Sequence, residues 1–100
     1  MTYEAFHALL RTAETYKDIE EFLAAQEATQ ENEPLLRFSY IYAHAPSPTT
    51  VRKLLALTPE RFAAMFSVPE RTVESWDAGQ SAPPRYVSDA LAYAALTHLI

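Results

Sequence analysis

A single glycine among 100 residues is the strongest constraint on what this chain can fold into. Ordinary usage would supply about seven, and a β-rich fold of this length needs several for the positive-φ positions of its turns and bulges. Seven prolines accompany the lone glycine, so the backbone reads as helices punctuated by proline, and the expected fold class is all-α. With 49% hydrophobic and 12% aromatic residues the chain has the apolar surface for a core, although a domain of this size hides only about two-thirds of its unfolded surface. The absence of cysteine excludes disulfide scaffolds and thiolate-ligated metal sites.

Thirteen carboxylates against eight cations give a net charge of −5. The whole surplus falls in residues 1–50, where Arg11, Lys17 and Arg37 face eight carboxylates, while residues 51–100 carry five of each sign. Neither half shows the basic stripe usual in a nucleic-acid binder. His7, His44 and His98 lack metal-ligand or nucleophile spacing, so no enzyme, metal site or cofactor is expected. No run approaches the roughly 18 apolar residues of a membrane span. The opening MTYEAFHALL lacks the basic start and small-residue cleavage site of a secretion signal, and the expected setting is the cytoplasm.

From Thr2 to Ala28 apolar residues recur at helical intervals, Phe6, Leu9 and Leu10 in one stripe and Ile19, Phe22 and Leu23 in another. Thr15 followed by Asp18 resembles a capping box and predicts a break near residues 12–16. Pro34 sits where a first helical residue would, ahead of LLRFSYIYAHA. There Leu35, Phe38, Ile41 and Tyr42 fit a helix face, yet Phe38, Tyr40 and Tyr42 also fit an alternating strand; helix is the better reading because an isolated strand has no partner in the chain. APSPTT, residues 45–50, is the clearest linker. It separates an acidic helical accessory region, residues 1–48, from a second domain, residues 49–100. In that domain Thr49 or Thr50 is expected to cap VRKLLAL and Thr58 to cap a helix with Pro59 in its first turn. Gly79 is expected to end a further helix and Pro83-Pro84 to launch the last.

Residues 58–79 read TPERFAAMFSVPERTVESWDAG. Phe62, Met65 and Phe66 form one apolar stripe, and Val73 and Trp76 form another on a short helix that starts a few residues later. Two helices joined so tightly cross steeply, with small Ala63 allowing close approach, which is helix-turn-helix geometry. At 100° per residue with Val73 and Trp76 inward, Arg71, Glu74, Ser75 and Ala78 point outward, flanked by Glu70, Thr72 and Asp77. Phe62, Ala63, Phe66, Val68, Arg71, Thr72, Val73, Trp76, Gly79, Pro83, Pro84, Tyr86 and Val87 fall in the order and spacing of the Cro/XRE (phage-repressor-like) helix-turn-helix family. The chain resembles that family over residues 58–98.

The resemblance implies a repressor-like helix-turn-helix bundle with an N-terminal helical extension, in which residues 69–78 are a recognition helix for the major groove. It implies base contacts from Arg71, Thr72, Glu74 and Ser75, Arg71 being suited to guanine, and phosphate contacts from Arg61 and Arg85. The protein so implied is a bacterial or phage transcription regulator that binds double-stranded DNA as a homodimer. The apolar C-terminal helix (Tyr86, Ala90, Leu91, Ala94, Leu99, Ile100) would supply the dimer surface. The chain departs from the family at Pro59, where Gln is common, and at Ser67, where the turn often has Gly. A left-handed Ser costs about 1 kcal/mol, so a reshaped turn is expected. Glu70, Glu74 and Asp77 surround the single Arg71, and Glu74 is spaced to neutralise it. These departures favour a second reading, a protein-interaction module of antitoxin-like or anti-repressor-like type whose acidic residues 2–28 engage a basic protein partner.

Overall fold

The computed structural model describes residues 1–99, Leu99 by its backbone alone. Among the described residues the secondary structure is helical throughout: α1 (Tyr3–Glu14), α2 (Ile19–Ala25), α3 (Glu33–His44), α4 (Pro48–Leu54), α5 (Pro59–Phe66), α6 (Glu70–Asp77) and α7 (Arg85–Leu99). The chain divides into two units, Met1–Ala45 and Pro46–Ile100, each with its own buried cluster. No helix among the described residues is long and apolar enough to cross a membrane.

In the first unit, Thr2 accepts the Ala5 N–H at the start of α1 (3.1 Å) and Asp18 accepts that of Glu20 at the start of α2 (2.7 Å). Thr15 belongs to the preceding helix instead: it is the C-cap of α1, and its hydroxyl donates to the Thr12 carbonyl at 2.7 Å. The expected capping box is therefore two separate devices, a C-cap and an Asx-type N-cap, with the break where it was expected. Residues 35–44 are helical, led by Pro34 in the first turn of α3. Leu36, Phe38 and Tyr42 are all buried, and their even spacing is what imitates a strand. Ser39 enters the same core with its hydroxyl donating to the Leu35 carbonyl at 2.8 Å, so it leaves no unpaired polar atom behind. His44 Nε2 meets the Ala13 carbonyl at 2.9 Å and the Tyr40 hydroxyl donates to the Tyr16 carbonyl at 3.0 Å, so the C-terminal ends of α1 and α3 lie side by side. Phe22 closes the space beneath them, its ring 5.8 Å from that of Tyr16 and 5.5 Å from that of Tyr40.

In the second unit α4 packs on α6 and α7, and α5 on α6. Val51, Phe62, Ala63, Val73, Ala92, Ala95 and Leu96 form the core. Ser47, not Thr49 or Thr50, caps α4: its hydroxyl accepts the Thr50 N–H at 3.1 Å, and Pro48 takes the first helical position. Pro48 lacks an N–H and has its φ preset for a helix start, which draws the helix one turn earlier than the apolar pattern alone indicates. Thr58 caps α5 through the Arg61 N–H (3.2 Å) with Pro59 following, as expected. Two apolar-stripe expectations change. Met65 is 41% exposed beside Leu57, Arg61 and Ala64, because α5 turns Phe62, Ala63 and Phe66 inward and leaves the next face uncovered. Trp76 is only half-buried, a common outcome for the largest side chain in a core this small.

Candidate nucleic-acid interface

The interface predicted from sequence centres on α5, the turn and α6. Residues 67–69 form the turn. Ser67 takes the left-handed conformation outright (φ 55°, ψ 41°), so the turn is not reshaped to avoid it. The Val68 N–H donates to the Ala63 carbonyl at 3.0 Å and closes the end of α5 in the manner usual when Gly holds that place. Buried Phe62 and Ala63 on α5 meet buried Val73 on α6, with the Phe62 and Phe66 rings 4.8 Å apart. The Pro69 carbonyl accepts the N–H groups of Thr72 and Val73 and starts α6 without a side-chain cap. Gly79, at φ 72°, lets the Gln80 N–H reach the Ser75 carbonyl at 3.0 Å and stops the helix.

With Val73 inward, Arg71 and Glu74 are exposed and Thr72 and Ser75 half-buried. The side chains of Arg71 and Glu74 form no ion pair with each other or with any other described residue, so the neutralisation expected from their spacing is not formed. Ser75 is engaged locally, its hydroxyl 2.7 Å from that of Ser81 in the segment after α6. Arg61 is exposed on the first turn of α5, its guanidinium likewise outside any ion pair among the described residues. Arg85 opens α7 and is committed to Asp89, Nε to Oδ1 at 2.8 Å, where the Asp89 side chain is only 3% exposed. Along the expected dimer face of α7, Tyr86 is 71% exposed, Ala90 and Ala94 are exposed and Leu91 is half-buried. The Leu99 side chain and Ile100, the rest of that expectation, lie outside the described residues.

Asp77 is where the sequence reading of this face most needs correcting. It does not stand beside Arg71 on the outer surface but turns back to α4, accepting from Arg52 Nε (3.1 Å to Oδ2) and from the Thr49 hydroxyl (2.7 Å to Oδ1). Sequence reasoning gives Arg52 no role and offers Thr49 only as a helix cap, so both partners of Asp77 are missed. The available signal was a carboxylate four residues beyond inward-facing Val73, at a helix C-terminus where negative charge is disfavoured unless a cation answers it. No group of His, Cys, Asp or Glu among the described residues is arranged to hold a metal ion. Comparison with protein-family models, with curated proteins and with solved structures returned no match.

Proposed function

We propose that this protein is a DNA-binding transcription regulator of the Cro/XRE type, acting in the cytoplasm, that lays α6 in the major groove of double-stranded DNA. One observation carries the reading: α5, a three-residue turn opened by left-handed Ser67, and α6 are joined with Asp77 withdrawn to Arg52, which leaves Arg71 on the outer face outside any ion pair among the described residues. In this reading Arg71 pairs with the O6 and N7 of a guanine and Glu74 accepts from a cytosine amino group. Thr72 and Ser75 meet a base edge or a phosphate, Ser75 after release from Ser81. Arg61 supplies one phosphate contact and Arg85 a second from its tether on Asp89. A homodimer formed through the Tyr86, Ala90 and Ala94 face of α7 would address two half-sites.

The test is titration of the full chain into a pool of random duplexes at low salt, followed by selection. Binding is expected to fall steeply as salt rises, and Arg71→Ala to weaken the selected duplex by about 1–3 kcal/mol. No shift of any duplex at tens of micromolar protein and low salt, where non-specific binding is tighter than its usual range of about 1–100 µM at physiological salt, ends the DNA reading. Glu70 and Glu74, exposed on either side of Arg71, together with Glu4, Glu20 and Glu21 exposed on α1 and α2, favour the second reading. In it the protein is an interaction module whose residues 2–28 dock a basic protein. That reading expects tight, salt-sensitive binding to a basic protein, abolished by Glu20→Lys with Glu21→Lys, from a chain that leaves duplex DNA alone.

A further inference from the structure

We infer that Arg52 is a positioning residue for DNA recognition: with Thr49 it grips Asp77, holds the last turn of α6 against α4, and so sets where Arg71 and Ser75 stand without itself touching DNA. The inference rests on the DNA-binding reading above. Asp77 is the last residue of α6, at the carbonyl end of the helix dipole, and no basic residue lies in that helix's last turn. The compensating charge comes from another helix. Arg52 Nε lies 3.1 Å from Asp77 Oδ2 and 3.3 Å from Oδ1, and the Thr49 hydroxyl donates to Oδ1 at 2.7 Å. The Arg52 and Asp77 side chains are only 16% and 21% exposed, so solvent and salt screen the pair less than a surface one.

Arg52 is itself immobilised. Its Nη1 donates to the Leu57 carbonyl at 3.0 Å while its own carbonyl accepts the Leu57 N–H at 3.2 Å, which closes a ring around left-handed Ala56. The guanidinium cannot follow a moving Asp77 without opening the end of α4. At its other end α6 has no side-chain cap, and buried Val73 together with Asp77 on Arg52 ties it to the rest of the unit. Arg71 lies six residues from Asp77, about 9 Å along the axis, far enough for a tilt about Val73 to carry its guanidinium off a base edge. Loosening of about 1 Å is enough to spoil such a contact.

The experiment uses the full chain and two duplexes, one selected by the wild type from a random pool and one unselected. Arg52→Gln and Asp77→Asn are each expected to weaken the selected duplex about 10-fold, and the double variant no more than the worse single, because the two residues act as a unit. Affinity for the unselected duplex and the slope of log K against log salt are expected to stay at the wild-type value, since no phosphate contact is lost. Thr49→Val, a milder change, is expected to give a smaller loss of the same pattern and serves if a charge variant does not fold. A slope reduced by about 0.9 in Arg52→Gln makes Arg52 a phosphate contact and overturns the inference. Equal losses on both duplexes, or none on either, overturn it too. Should the wild type bind no duplex, the DNA reading falls separately, and the grip is then judged on free protein by amide exchange. Residues 76–79 are expected to exchange at least about 10-fold faster relative to α7 in Asp77→Asn; an unchanged ratio sinks the positioning role as well.

Discussion

Four helices of this chain end in the same way, and three of them do it without glycine. Glu27, Ala56 and Ser67 hold φ of 53°, 56° and 55°, and Gly79 holds 72°. In each case the next residue's N–H reaches back to the carbonyl five positions before it: Ala28 to Leu23, Leu57 to Arg52, Val68 to Ala63 and Gln80 to Ser75. An L-residue in this conformation carries about 1–2 kcal/mol of strain, offset here by carbonyls that would otherwise lack a partner. Scarcity of glycine therefore points correctly to helices, but it does not locate their ends. Ser67→Gly is expected to stabilise the protein by up to about 1 kcal/mol, the relief of strain exceeding the added freedom of the unfolded chain. Gly79→Ala is expected to cost about 1 kcal/mol, and a Cβ there meets nothing within 4 Å, so the loss is conformational and not steric. Urea midpoints with unchanged m-values read both; a lower midpoint for Ser67→Gly would contradict the account.

At the scale of elements, caps and prolines carried most of the legible information. Thr58-Pro59 marks the start of α5 and Gly79 the end of α6 because each has one conformational use at its position. The start of α4 lies earlier than its apolar pattern indicates, since that pattern begins at Val51 while the cap, Ser47, lies before Pro48. Ser47→Ala is expected to cost about 1 kcal/mol in a thermal or urea melt, and Thr50→Ala clearly less, because only the first removes the acceptor for the Thr50 N–H. Equal losses would return the cap to the threonines. In the candidate interface the placement of Arg71 and Glu74 followed from helical period alone. That of Asp77 did not, because its partners stand on a helix 25 and 28 residues earlier in the chain, and no local period encodes a contact of that separation.

At the scale of the molecule, the charge asymmetry coincides with the division into units. Every surplus carboxylate lies in Met1–Ala45, and Pro46–Ile100 is neutral. The second unit has its own capped first helix and its own core. A fragment of residues 46–100 is therefore expected to melt cooperatively by circular dichroism. A broad, non-cooperative melt would show that the unit depends on the first. The grip on α6 from behind has a consequence for how such a protein can change. Val73 and Asp77 hold the helix from one side, while Glu70, Arg71, Glu74 and Ala78 are exposed on others. Those four positions are lettering on a fixed spine: they can be rewritten, by drift or by library, to address a new target while the melting temperature stays where the old target left it.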